Sequence, residues 1–383
     1  MTAHQGARER ILLSPPDVGR REEDMVVEAV RSGWIAPLGP MVDAFEQAMA
    51  ERCGRRHAVA LSSGTAALHL ALLQAGAGPG TVVVVPTMTF AATANAVAYT
   101  GAEPFFVDCE EATGNLDPEL LEQALKQLDA EGATVAAVIP VDLLGRCADY
   151  GRLLPICERF GVAVVSDAAE SLGSTCAGRP AGSFGAMAAL SFNGNKVMTT
   201  SGGGMLLTDD AATAERVRYL STQARQPAVH YEHTEIGYNY RLSNVLAALG
   251  LAQLERLDEM IGRRRALRAA YADVFGGTSG VRVFQRPGDE GDNCWLTAVV
   301  VDPTEAGWDA DDLRAALDRA DIESRPLWKP MHQQPVFARA RSLVLGAADH
   351  LFANGLTLPS GSALTADQVN TVLATLSAFI EAR

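Results

Sequence analysis

Between His57 and Ser166 the chain alternates short, continuously apolar runs with longer stretches of helical period, and this alternation limits the possible folds more than any other feature. The apolar runs His57–Leu61, Val82–Val85, Pro104–Val107, Thr134–Pro140 and Val162–Ser166 read as strands. Between them, Ala66–Gln74, Thr87–Ala98, Pro118–Gln127 and Arg152–Phe160 read as helices. A strand with no polar alternation is buried on both faces, so the helices must supply both covering layers. Strands joined through helices run parallel. The expectation is an α/β fold around a mainly parallel sheet, to which Ala188–Phe192 and Met205–Thr208 add further strands.

The flanking segments follow other rhythms. Pro15–Asp17 opens a helix over Val18–Arg31, the apolar loop Ser32–Gly39 follows, and Pro40–Arg52 returns to helix. After Gly204 come a helix over Asp209–Leu220, a polar aromatic loop over His230–Tyr240, and a helix capped by Ser243 that runs to about Arg264. A second α/β pattern then appears: Val281–Phe284, Leu296–Val301, Ala310–Asp318, and Ala366–Ala382 with Thr365 as its cap. The expected organisation is an N-terminal arm (1–30) packing with a small domain, a large domain (31–250) and a smaller C-terminal α/β domain (251–383).

Composition excludes several classes of function. A content of 48% hydrophobic and 20% charged residues is that of a soluble globular protein. The net charge of −14 argues against nucleic acid and against an acidic membrane surface as partners. No apolar run approaches a membrane span, and the N-terminus lacks the apolar core of a signal peptide. The six cysteines are scattered without metal-like spacing, so the expectation is a cytoplasmic protein with reduced thiols and no metal.

In a parallel sheet, ligands sit at the carboxyl ends of the strands. Three polar groups fall there: Ser63-Gly64-Thr65, Asp167 to Glu170, and the turn Ser191 to Lys196. The first offers free amides, a hydroxyl and a helix N-terminus, which suits a phosphate; it is equally an ordinary capped helix start. Neither a Walker A loop nor a GxGxxG turn is present. Asp167 reads as an ion-pair or cap residue, or as the partner of a positively charged ring nitrogen. Phe90 is placed to stack on a ring or to fill the core. Lys196 is one of only three lysines, with Lys126 and Lys329. An amine, unlike a guanidinium, can lose its proton and attack a carbonyl. Phosphate seat, acid and lysine together point to pyridoxal 5'-phosphate.

The motifs Ser191 to Lys196, Thr200 to Gly204, Asp167 to Glu170 and Gly237 to Asn244 resemble the sugar aminotransferases of the DegT/StrS family, in order and over nearly the whole chain. The resemblance implies a fold-type I pyridoxal phosphate enzyme whose large domain has a mainly parallel seven-stranded sheet flanked by helices. It implies that Lys196 carries the cofactor, Asp167 pairs with the pyridine nitrogen, and Glu170 lies near the ring hydroxyl. Phe90 falls at the stacking position, and Ser63, Gly64, Thr65, Ser191 and Asn193 complete the cofactor contacts. Asn239 matches an asparagine reaching the neighbouring subunit's phosphate, which implies a homodimer with shared active sites. The stretches holding Trp34, Ile35, Ala36 and Pro37, and Arg325, Trp328, Lys329, Met331 and His332, resemble those of a subgroup that aminates C4 of a UDP-linked 4-keto-6-deoxy-N-acetylhexosamine. L-Glutamate is the implied donor. A 3-keto or dTDP-linked sugar, or a regulator without catalysis on the same fold, are the alternatives. The stretch Val141 to Gly145 stands where many relatives have a histidine and a tyrosine, and residue Asp142 in it is expected to affect substrate fit.

Overall fold

The structure, a computed structural model, describes residues 10–284 and 291–383; the first nine residues of the expected arm lie outside these. Helices α1 (Arg20–Ser32) and α2 (Pro40–Arg52) lead into the alternation. It runs through β1 (His57–Leu61), α3 (Gly64–Gln74), β2 (Thr81–Pro86), α4 (Ala91–Thr100), β3 (Glu103–Val107), α5 (Pro118–Ala130), β4 (Thr134–Val138), α6 (Tyr150–Arg159) and β5 (Ala163–Asp167). The hairpin β6 (Thr175–Cys176) and β7 (Arg179–Pro180) precedes β8 (Met187–Ser191) and β9 (Gly204–Thr208). Then come α7 (Ala211–Ser221), α8 (Asn244–Glu255), α9 (Leu257–Phe275), β10 (Val281–Val283), β11 (Thr297–Val301), α10 (Pro303–Ala306) and α11 (Ala310–Arg319). The chain closes with β12 (Arg325–Pro326), β13 (Ser342–Leu343), α12 (Ala347–Asn354), β14 (Gly355–Leu358) and α13 (Ala366–Glu381).

The large sheet has the order β1-β9-β8-β5-β4-β2-β3, with the two-residue β13 added as an eighth strand beyond β3. Only β9 runs against the rest. The valines of β2 show why its run is unbroken. Val83 and Val85 pack with Leu68, Leu70 and Val97 of α3 and α4, while Val82 and Val84 face Leu121, Leu125 and Leu153 of α5 and α6. Each such side chain contributes about 1.5–3 kcal/mol by leaving water.

Strand register brings the carboxyl ends together. Gly204 of β9 lies opposite both Leu61 of β1 and Ser191 of β8, and Asp167 of β5 lies opposite Ala189. The turns after β1, β5 and β8 therefore open at one edge.

A second, antiparallel sheet has the order β10-β11-β14-β12 and packs on Tyr271, Leu313, Leu317, Val372 and Leu376 from α9, α11 and α13. The arm joins this side: Ile11 bridges to Ile322, and the Leu13 amide donates to Glu323 Oε2 at 3.0 Å. Two differences from the sequence reading affect local geometry. The helix expected to run from Ser243 to about Arg264 breaks at Arg256, whose guanidinium is held by Asp17 and Glu22. Helix α4 begins at Ala91 rather than Thr87, because Thr87 and Thr89 spend their hydroxyls on His332 and Thr93. Phe90 is thereby left at the helix start, 57% exposed. Among the described residues no helix is long and apolar enough to cross a membrane.

Candidate active site

At the shared strand edge lies a cavity of about 350 Å³. Ser63, Gly64 and Thr65 line it from the start of α3, and Phe90 from the start of α4. Asp167 and Glu170 enter from the end of β5, and Ser191, Asn193 and Lys196 from the turn after β8. Local sequence accounts for the seat at α3. Ser63 caps the helix, its Oγ accepting from the Ala66 amide at 3.0 Å, and the first-turn amides have no acceptor one turn back. Glycine is required by close approach. A Cβ on Gly64 would meet Ser191 Cβ at 2.9 Å, and one on Gly204 would meet the Ser63 carbonyl carbon at 2.3 Å. The helix start is thus pressed against β8 and β9, leaving a narrow, backbone-lined hollow of the kind that holds a phosphate.

The electrostatics are unbalanced in a telling way. Asp167 and Glu170 are both 4% exposed, and Lys196 Nζ lies 3.5 Å from Glu170 Oε1. Asp167 Oδ2 accepts from Thr93 Oγ1 at 2.8 Å and Oδ1 from the Ala169 amide at 3.2 Å. Burial raises the Asp167 pKa above the usual carboxylate value against these hydrogen bonds and the Lys196 charge. Burial raises Glu170 too, opposed by Lys196 and by the Leu144 amide, which donates to Oε2 at 2.7 Å. Two buried acids share one lysine. A protonated ring nitrogen beside Asp167 would supply the missing cation, a phosphate would take the α3 seat, and Lys196 would supply the amine. The residues present fit pyridoxal phosphate.

The other expected residues divide. Trp328 lines the cavity; Asn239 is exposed and lies outside it. Trp34, Ile35, Ala36 and Pro37 form an exposed loop, held from behind by Asn244, whose Nδ2 donates to the Trp34 carbonyl at 2.8 Å. Met331 and His332, expected as substrate contacts, do not line the cavity. Met331 is 2% exposed in the core, and its amide bonds the Thr87 carbonyl. The His332 ring is occupied by Thr87 Oγ1 at 2.8 Å and Asp349 at 3.1 Å. Arg325 points its guanidinium to Glu323 at 2.8 Å. Asp142 is fully buried, and its neighbour Val141 lines the cavity.

Three neighbours escaped the sequence reading. Trp295 lies under Lys196, its ring centroid 3.8 Å from Nζ, and its indole N–H donates to the Asn195 carbonyl at 2.7 Å. Thr93 anchors Asp167. Leu144 takes a left-handed conformation (φ 55°) while its amide serves Glu170. The only signal for Trp295 was a tryptophan at the mouth of a strand, which packs in the core more often than in a site.

Strand order, the lysine turn and the paired acid define the class: a fold-type I pyridoxal phosphate aminotransferase. The sequence profile of the DegT/DnrJ/EryC1/StrS aminotransferase family matches residues 16–377. EpsN of Bacillus subtilis, which carries the name of a pyridoxal phosphate-dependent aminotransferase, is 45% identical over 96% of this chain and 95% of its own. GDP-perosamine synthase of Caulobacter vibrioides is 36% identical, covering 96% and 97% respectively. The crystal structure of a DegT DnrJ EryC1 StrS aminotransferase from Brucella abortus superposes with a TM-score of 0.87 at 31% identity, over 94% of this chain and 95% of that one. The chain belongs to the DegT/DnrJ/EryC1/StrS family and is a pyridoxal phosphate-dependent sugar aminotransferase.

Proposed function

We propose that this enzyme transfers the amino group of L-glutamate to C4 of a nucleotide-linked 4-keto-6-deoxy sugar, with UDP-4-keto-6-deoxy-N-acetylhexosamine as the leading candidate. The observation that carries the reading is the Lys196–Glu170–Asp167 constellation beside the α3 phosphate seat. When bound, pyridoxal phosphate supplies an aldehyde for amines and an electron-withdrawing ring. Asp167, its carboxylate fixed by Thr93, would hold the ring N–H and keep it protonated. As a free amine, Lys196 would carry the proton from Cα of glutamate to the carbonyl carbon of the cofactor and, in the second half, from that carbon to C4 of the sugar. Gly64, Thr65 and Ser191 would hold the phosphate, and Phe90 would cover the ring.

A homodimer completes the reading. Asn239 and the apolar loop Trp34–Pro37 are exposed on their own chain, where neither lines the cavity. A symmetric pairing that delivers them to the neighbouring cavity would use both. The stretch that suggests a UDP sugar is a resemblance, and GDP-perosamine synthase carries a GDP sugar in its name, so the nucleotide needs direct trial.

Visible absorbance of purified protein, before and after L-glutamate, tests the chemistry. A yellow wild type that glutamate bleaches, beside a Lys196→Ala variant lacking the band, supports the cofactor, the lysine and the donor together. A wild type that stays colourless with added pyridoxal phosphate overturns the reading.

A further inference from the structure

Lys196 is flanked by two groups from distant parts of the chain. Glu170 Oε1 lies 3.5 Å from Nζ on one side, and the centroid of the Trp295 ring lies 3.8 Å from it on the other. Glu170 follows β5 of the large sheet, whereas Trp295 precedes β11 of the small one. No strand of one sheet pairs with the other among the described residues. The gap between the two flanks is therefore set by side chains and turns.

Asn293, fully buried, ties both flanks through the two ends of its amide. Its Nδ2 donates to the carbonyls of Glu170 and Leu172, each at 2.9 Å, and its Oδ1 accepts from the Trp295 amide at 2.9 Å. Its own backbone amide donates to Ser174 Oγ at 2.9 Å, which donates in turn to the Gly145 carbonyl at 2.6 Å. The fit is close, since a Cβ on Gly145 would meet Asn293 Oδ1 at 2.0 Å. A carboxamide offers an NH₂ to two carbonyls and an oxygen to an N–H; a carboxylate of the same shape would set oxygen against oxygen. The chain beside it is held separately. Asp292 pairs with Arg146 at 3.1 Å and with Arg268, and its Oδ1 accepts from the Cys294 amide at 2.7 Å. The segment thus keeps its docking when the Asn293 side chain is cut back.

We propose that Asn293 is a positioning residue: it fixes the gap between Glu170 and Trp295 and so holds the Lys196 amine in line for proton transfer. This rests on the reading above of Lys196 as the group that moves the proton. Asn293 does not line the cavity and acts through its two neighbours. Proton transfer depends on placement at the ångström scale, so the tether governs rate more than substrate affinity. Ser174 contributes at one remove, by holding the Asn293 backbone.

The test compares wild type with Asn293→Ala, Ser174→Ala and, as a control for lost stability, Leu313→Ala in the core of the small domain. In cofactor-loaded enzyme, the rate of bleaching by saturating glutamate, per bound cofactor, is expected to fall about tenfold in Asn293→Ala and about threefold in Ser174→Ala. The half-saturating glutamate concentration should stay within about threefold of wild type. Leu313→Ala should lower Tm at least as far, yet keep the rate within about twofold. In a Glu170→Gln background, Asn293→Ala should cost less than about threefold, because one of the two groups it places has lost its charge. In cofactor-free protein, labelling of Lys196 by acetic anhydride is read by mass spectrometry against the exposed Lys126. It should quicken about threefold in Asn293→Ala, as the amine leaves its flanks, and about twofold at most in Leu313→Ala. The proposal is overturned if Asn293→Ala lowers Tm while rate and labelling match the control. It is also overturned if its effect multiplies in full with that of Glu170→Gln. Should Asn293→Ala fail to fold, Ser174→Ala decides by the same two readouts, and values equal to the control overturn the proposal. Labelling needs no cofactor, so it still decides the positioning if glutamate fails to bleach wild type, a result that would sink the aminotransferase reading alone.

Discussion

The turns at the sheet's carboxyl edge and the loop from Ser324 to His332 were both expected to carry function, and they fare differently. At the edge, Ser63, Asp167, Glu170, Ser191 and Lys196 line one cavity. In the loop, Met331 and His332 serve the core and the strand edge, Arg325 pairs with Glu323, Trp328 lines the cavity and Lys329 is exposed. The difference has a structural cause. Parallel strands in register fix where each strand-end side chain emerges, whereas a loop side chain goes to whichever partner offers the better hydrogen bond or ion pair. A strand-end position is a prediction about geometry; a basic loop residue is a prediction about competition.

Asp142 tests the first half of that comparison most severely, because it too sits at a strand end. Its amide donates to the Asp167 carbonyl at 3.0 Å, yet its side chain turns away into Ser171 Oγ (2.6 Å), Tyr150 OH (2.8 Å) and the Ala148 amide (2.9 Å). Burial pushes its pKa up to about 7, with those three hydrogen bonds opposing. The folded state therefore holds the proton more tightly than the unfolded chain, whose carboxyl titrates near ~4. The stability this provides is complete below that pH and is lost as pH rises through about 7. Asp142→Asn should lessen that slope by at most about 4 kcal/mol across the window, while the raised Asp167 and Glu170 leave a remainder of the same sign. The readout is Tm of the cofactor-free protein between acid and neutral pH. If the slope is undiminished while KM for the sugar changes, Asp142 reaches the site after all and strand-end position alone does imply function.

Much of the large sheet was legible because its strands are apolar on both faces, a pattern that few other structures produce. That Ser63 to Thr65, Asp167 and Lys196 meet at one edge was legible because each follows such a strand. What stayed hidden depends on contacts across long stretches of sequence. Strand β14 follows α12 without a turn residue other than Gly355, and nothing local separates them. The start of α4 shifted by four residues because His332, far along the chain, takes the Thr87 hydroxyl. Thr93 and Trp295 reach the site only through folding.

Gly204 probes how tightly the edge is built. A methyl there would press on the Ser63 carbonyl carbon at 2.3 Å and the Gly64 nitrogen at 2.4 Å, both backbone atoms that cannot rotate away. Overpacking of this kind costs about 1–3 kcal/mol. Gly204→Ala should lower Tm by several degrees and weaken cofactor retention about tenfold, measured by the release of pyridoxal phosphate on dilution. Retention equal to wild type would mean that the seat tolerates movement, and the contrast with the loop would lose its physical basis.

Trp295 belongs to neither region, since it precedes β11 of the small sheet and ends under Lys196. It acts on Lys196 in two ways: its face receives the ammonium, and its N–H fixes the carbonyl of Asn195, the preceding residue. Trp295→Phe keeps the face and removes the N–H. That carbonyl also accepts from Ser14 Oγ at 2.9 Å, so one donor remains after the change. The net worth of a single hydrogen bond, about 1 kcal/mol, then limits the expected fall in kcat to about fivefold, with KM for glutamate unchanged. A loss beyond about thirtyfold would show that the tether, more than the ring face, holds Lys196 in place. The small sheet would then set the lysine's position through the backbone, and the strand-end turn would not be self-sufficient. No loss at all would leave the ring face as its whole contribution.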